Sequence, residues 1–190
     1  MKNHLIFIFL ISNFLFSCRN NKEEKIVDVS SKSDIQNNIK KRNFYRDGKL
    51  KKTLEYVNVC EKEYLNQGWY FNENRDTIEK KTHFCKIKIH KKSLKPEELS
   101  KVSMTYKPLL KNSVSAVLLS KENDLSYCDL ENKKFDTLYF VDNKLQYLQS
   151  FKSAGNKKLT GYVLEITKEL RKDGTYDERK IYFTLNFKVQ

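Results

Sequence analysis

The chain has 190 residues, 37 lysines and arginines against 24 aspartates and glutamates, and a formal net charge of +13. Such a balance favours solubility and a non-specific attraction to anions, but the lysines are dispersed along the whole length. That is the pattern of a solvated surface, so no specific nucleic-acid partner is expected, and anionic envelope polymers would be held only by weak electrostatics. Gly48, Gly68, Gly155, Gly161 and Gly174 stand too far apart to build a phosphate-cradling loop, which excludes nucleotide binding of that kind.

Residues 1–17 read as an export signal. Lys2 gives a positive start, the first acid is Glu23, and Leu5 to Phe16 form a run of about twelve mostly apolar residues, the length of a signal h-region. A spanning helix would need about twenty. The run ends in Leu15-Phe16-Ser17-Cys18. An aliphatic residue at −3, a small one at −1 and then cysteine resembles the lipobox of bacterial lipoproteins, although Phe16 is larger than that family's usual −2 residue. The resemblance implies a diacylglyceryl thioether on Cys18, cleavage before it, and acylation of the new amine. The membrane is then a partner through the N-terminal lipid. Each buried methylene contributes about 0.8 kcal/mol, so one acyl chain holds weakly and two or three hold firmly. Arg19 at +2 is not the aspartate that retains enteric lipoproteins at the inner membrane, which points to the outer membrane. Lys22-Glu23-Glu24 resembles a short charged signal that flips some lipoproteins onto the cell surface, so surface exposure is favoured over the periplasmic face.

From Arg19 to Lys41 the chain has no aromatic residue and many Asn, Lys and Ser. Residues 18–41 therefore read as the lipidated cysteine and a flexible tether, with a root-mean-square reach of roughly 27 Å. Residues 42–190 carry all the aromatic residues that lie outside the signal. They are of one-domain length, enough to bury about 68–70% of the unfolded surface.

The periodicity of this part is that of strands. Cys85, Ile87 and Ile89 alternate with Phe84, Lys86, Lys88 and His90, and Phe183, Leu185, Phe187 and Val189 alternate with Tyr182, Thr184, Asn186 and Lys188. Ser113–Leu119, Leu138–Val141 and Val163–Ile166 are β-branched or aromatic runs of strand length. Asp47-Gly48, Asn74-Arg75-Asp76, Asp142-Asn143 and Asp173-Gly174 punctuate them with residues that tolerate positive φ. Pro96 followed by Glu97-Glu98 reads as a first helical turn, so one short helix is expected near residues 94–102. The fold expected is all-β and antiparallel, with about eight to ten hairpin-connected strands in a sandwich or a strongly curled sheet.

Four segments share an order of aromatic or apolar strand, turn and polar strand: FYRDGKLKKTLEY (Phe44–Tyr56), WYFNENRDTIEKK (Trp69–Lys81), YFVDNKLQYLQ (Tyr139–Gln149) and ELRKDGTYDERK (Glu169–Lys180). The first three resemble degenerate MORN-like hairpins, whose common form is aromatic-x-x-Asn-Gly-Lys-Leu. Their spacing is irregular and most of the glycines are missing, so the signature is one of hairpins more than of a regular array.

Little in the sequence asks for catalysis. No Gly-x-Ser-x-Gly elbow exists, His83 and His90 are the only histidines outside the signal, and no catalytic residue is assigned. His83 and Cys85 would share a strand face and Cys60 could join them, but zinc sites offer four soft ligands at recognisable spacings, so neither metal nor cofactor is expected. Cys60, Cys85 and Cys128 allow one disulfide and an odd thiol in an oxidising compartment. Cys60–Cys85 closes the shortest loop and is the expected pair; the alternative is three buried, reduced cysteines. Trp69, Tyr70 and Phe71 are the densest aromatic cluster and candidate ligand contacts, although Trp69 and Phe71 share one strand face and burial is their default. The expectation for function is a membrane-anchored envelope lipoprotein with a non-catalytic binding or structural β domain. Two rivals are a small-ligand or lipid carrier, which needs an apolar cavity, and a hydrolase, which needs His83 or His90 to converge with carboxylates in a cleft.

Overall fold

The computed structural model describes residues 24–32, 38–130 and 133–190. The signal, Cys18 and the Lys22-Glu23 part of the charged motif lie outside the described residues. Among the described residues twelve strands form three sheets. In chain order they are β1 (Glu24–Asp28), β2 (Ile39–Arg46), β3 (Lys49–Val59), β4 (Lys62–Tyr70), β5 (Phe84–Ile89), β6 (Ser93–Leu94), β7 (Ser100–Lys107), β8 (Ser113–Asn123), β9 (Phe135–Tyr139), β10 (Lys144–Gln149), β11 (Gly155–Leu170) and β12 (Tyr176–Val189). A first sheet runs β1-β2-β3-β4, a three-stranded sheet β10-β7-β5, and a five-stranded sheet β6-β12-β11-β8-β9. The protein is all-β and antiparallel, apart from the two-residue edge strand β6, which pairs parallel to β12.

The long pair β11–β12 organises the layers. Successive side chains of a strand point to opposite faces. Val163, Ile181, Phe183 and Leu185 therefore enter one core with Val102, Met104 and Tyr106 of β7 and Val117 and Leu119 of β8. Their neighbours Tyr162 and Tyr182 face the other way, onto Val57 of β3 and onto Tyr127 and Leu130 beside the 3-10 turn Cys128–Leu130. The five-stranded sheet is thus the middle layer, with the three-stranded sheet on one face and part of the first sheet on the other. The alternation of Phe183, Leu185, Phe187 and Val189 is realised as four buried side chains. Register shifts between Leu159 and Gly161 and between Ile166 and Leu170 curl the sheet. Gly161 sits where β8 crosses closest: a Cβ there would lie 2.5 Å from the Leu118 carbonyl oxygen.

Three two-residue turns have both central residues in the left-handed region: Asp47-Gly48, Cys60-Glu61 and Asp142-Asn143. That is the geometry which matches the twist of the strands they join. The Cys60-Glu61 turn has no Gly, Asn or Asp and carries no such signal in the sequence.

Two expectations are corrected. No helix occupies residues 94–102. Lys95 to Glu98 is a single turn in which the Glu98 N–H donates to the Lys95 carbonyl at 3.1 Å, with Pro96 first and Glu97 second at φ +62°. A left-handed Glu97 cannot propagate a right-handed helix, and the Glu97 N–H donates to Phe151 O instead. The tether expected over 18–41 does not hold for Glu24–Asp28, which is a strand paired with Arg46–Arg42 of β2. Four of its five side chains are exposed, so backbone pairing, with an ion pair from Glu24 to Lys52 at 3.5 Å, holds this edge, and composition gave no sign of it.

The four repeat-like segments do not stack as units of one array. Phe44–Tyr56 and Glu169–Lys180 are hairpins, but of different sheets. Trp69–Lys81 closes only a Phe71–Thr77 bridge. In Tyr139–Gln149 the turn sends the chain from β9 in the five-stranded sheet to β10 in the three-stranded one. Turn chemistry is what they share.

Candidate functional site

The cysteines are paired differently from the expectation. Cys60 is bonded to Cys128, 68 residues away, with Cα atoms 5.1 Å apart, and Cys85 is free and buried. The correction to Cys60–Cys85 has a simple cause. Cys85 follows its strand alternation into the large core, whereas Cys60 sits at the β3–β4 turn, which meets the Cys128–Leu130 turn on the other face of the five-stranded sheet. Burial raises the Cys85 thiol to about 12, so it stays protonated and unreactive at neutral pH.

Trp69, Tyr70 and Phe71 end β4 half-buried. Trp69 stacks on Phe84 with ring centres 6.2 Å apart, and Tyr70 packs against the His83 ring at the same separation. His83 is clamped to Gly68 by two backbone hydrogen bonds, and a Cβ on Gly68 would come 2.9 Å from its Cε1. Burial first, then the charge of Arg179, lowers the pKa of His83 and keeps the ring neutral, with Nδ1 on the Lys81 carbonyl at 3.2 Å. His90 is elsewhere, exposed and bonded to Ser103 Oγ at 2.9 Å. Among the described residues no three His, Cys, Asp or Glu side chains gather as a metal site.

A buried polar network escaped the sequence reading. Glu165, fully buried, accepts hydrogen bonds from Tyr106 Oη at 2.6 Å, Leu110 N at 2.9 Å, Leu109 N at 3.1 Å and Ser113 Oγ at 2.9 Å. Arg179 Nη1, across the strand pair, lies 3.8 Å away. Burial and the bond to Glu165 raise the Tyr106 pKa, so its hydroxyl remains a donor. With its oxygens occupied in this way, Glu165 pins the loop between β7 and β8. The signal that could have found the pair is its phase. Glu165 shares a face with Val163, and Arg179 with Ile181, so two charges stand at core positions of alternating strands.

Asn66 does the corresponding work between sheets. It is the unpaired residue at a bulge, since Glu55 pairs with Gln67 while Tyr56 pairs with Leu65. The bulge turns its amide onto the open edge of β12, where Oδ1 accepts from Tyr182 N at 2.8 Å and Nδ2 donates to Tyr182 O at 3.0 Å. Nδ2 also donates to Glu55 Oε1 at 2.8 Å, and Arg179 Nη2 donates to the Asn66 carbonyl at 2.6 Å. A side-chain amide thus replaces a strand neighbour for β12.

Between that junction and the disulfide lies an open groove of about 550 Å3. One wall is the β3–β4 hairpin, with Cys60, Lys62, Tyr64 and Leu65; the other is β12, with Glu178, Lys180 and Tyr182. Tyr64 and Leu65 are 47% and 42% exposed, large for apolar groups with no covering element. Tyr182 packs with Tyr127 and Tyr162 at ring separations of 5.2 and 5.7 Å. Lys180 Nζ lies 5.5 Å over the Tyr162 ring and 3.5 Å from Glu178. Burial lowers the Lys180 pKa, but Glu178 and the tyrosines outweigh it and leave the group firmly charged. The groove can therefore stack on a ligand and pair with its anionic or hydroxyl groups. Neither His83 nor Glu165 lines it. No protein-family model, curated protein or solved structure matches this chain at a significant level.

Proposed function

We propose that this chain is an exported lipoprotein, held on the outer membrane by acyl chains on Cys18, whose β domain binds a partner in the groove between the β3–β4 hairpin and β12. The observation that supports this reading best is the Cys60–Cys128 bond at the groove's rim. Disulfides persist in oxidising compartments outside the cytosol, which agrees with the Leu15–Cys18 signal. This one also fixes the hairpin that carries Tyr64 and Leu65, so the exposed aromatic wall is preorganised. The role is one of binding, without catalysis. The carboxylate in the groove, Glu178, is already paired with Lys180, and the buried Glu165 is occupied by the loop it pins.

The experiment for the anchor is Cys18→Ala in the full-length chain expressed in a Gram-negative host. Lipidated wild type should partition into the detergent phase, and the variant should stay unprocessed or be released with no mature form in that phase. Unchanged partitioning of a mature variant would remove the lipoprotein reading.

A further inference from the structure

Further along β12, on the same face as the groove, the lysines stop looking dispersed. Register places Asn156 of β11 opposite Lys188 of β12, and Lys158 opposite Asn186. Lys188 is in turn opposite Ser93 of β6. The four positions on β11 and β12 are all even on antiparallel neighbours, so their side chains share one face. The result is a checkerboard of lysines and amides in which Lys158 and Lys188 are diagonal neighbours, about 7–8 Å apart at Cα. Lys92 flanks them where its carbonyl accepts from the Lys188 N–H at 2.8 Å. These residues line a shallow, open hollow of about 420 Å3.

Many lysines elsewhere are matched by acids: Lys49 and Lys51 by Glu73, Lys107 by Glu79, Lys121 by Asp136, Lys133 by Glu122. Lys92, Lys158 and Lys188 have no ion-pair partner among the described residues. Three ammonium groups converge on one hollow with their charge unanswered, beside two asparagine amides that offer both donors and acceptors. Asn156, Asn186, Lys92 and Lys188 are exposed and Lys158 is half-buried, so all can reach a ligand.

We propose that this face is a binding site for an acidic glycan, a sugar chain bearing carboxylate, sulfate or phosphate groups. The cations answer the acidic substituents, and the amides answer the hydroxyls between them. The amides between the lysines favour a hydroxyl-bearing polymer over a lipid surface. The aromatic ring here, Phe187, is buried beneath the sheet, which leaves no platform on which the bases of a single-stranded nucleic acid could stack. The site is independent of the groove and of the anchor, and it localises an attraction that composition alone describes as diffuse.

The test uses the full-length chain carrying Cys18→Ala and four probes: heparin oligosaccharide, polygalacturonate, vesicles of anionic phospholipid, and single-stranded DNA. Binding is measured at low salt and at about 0.15 M, where the Debye length is near 8 Å. The wild-type chain should hold an acidic glycan saturably at the higher salt, with inorganic sulfate or phosphate competing. Preference for heparin or for polygalacturonate identifies the acidic substituent. The double variant Lys158→Gln/Lys188→Gln should lose affinity by about tenfold or more. Lys86→Gln/Lys88→Gln, which removes the same charge from exposed positions of β5, should stay within about twofold. Equal losses in the two variants, loss of all binding at 0.15 M, or tighter binding to vesicles or DNA than to either glycan would each overturn the proposal.

Discussion

Cys128→Ala, or reduction of the intact protein, will lower the stability of the fold by about 4 kcal/mol. The bond closes a loop between residues 68 apart, and chain entropy assigns a loop of that length about this value, against roughly 3 kcal/mol for a 15-residue loop. The effect is expected as a shift of the urea midpoint between oxidised and reduced protein. Peptide mapping without reduction should find Cys60 linked to Cys128, with Cys85 alkylated only after unfolding. Thiolate is the attacking species in disulfide exchange, and the Cys85 thiol, raised to about 12 by burial, will not reshuffle the bond in the folded protein. Recovery of a Cys60–Cys85 peptide, or a reduced protein as stable as the oxidised one, would contradict this assignment.

Glu165→Ala should cost about 3–5 kcal/mol, the range for removing one partner of a buried ion pair. The variant leaves Tyr106 Oη, Ser113 Oγ and the N–H groups of Leu109 and Leu110 without their acceptor, and it strands the buried Arg179. Glu165→Gln, which keeps one oxygen for the loop donors, should cost less than the alanine. Glu165→Leu combined with Arg179→Met should be less damaging than the sum of the two single changes, because no charge is then left alone in the core. A loss below about 1 kcal/mol for the alanine variant in equilibrium unfolding would show that the network is incidental.

The strands that cross a core were legible because their physics is local. Phe183 to Val189 and Cys85 to Ile89 alternate in sequence as they alternate in space, and the Asp-Gly and Asp-Asn turns carry their own φ > 0 signal. What escaped depends on partners distant along the chain. β1 has no buried hydrophobic face to advertise it and is held mainly by its pairing with β2. Pro96-Glu97 opens a helix and a left-handed turn equally well in sequence, and the bond from Glu97 N–H to Phe151 decides between them. Cys60 lies nearer Cys85 in sequence, yet a two-residue turn points it to the opposite side of the five-stranded sheet. The Asn66 bulge leaves no mark in composition or period. Glu165 and Arg179 did leave one, as charges in the core phase of strands, and that is the feature of this sequence most worth reading as structural. The groove could not have been anticipated, since its two walls are more than a hundred residues apart and meet through Asn66 and the packing of Tyr182 on Val57.

The central claim, that the groove beside the disulfide is where this protein meets its partner, is tested most directly by a photoreactive amino acid placed at residue 64 in intact cells that produce the chain. Residue 101, exposed on β7 in the three-stranded sheet, serves as the control position. A discrete cross-linked species is predicted from position 64 alone, and Lys180→Glu should suppress it. The same species from both positions, or none from position 64 while the protein is folded and oxidised, would contradict the account.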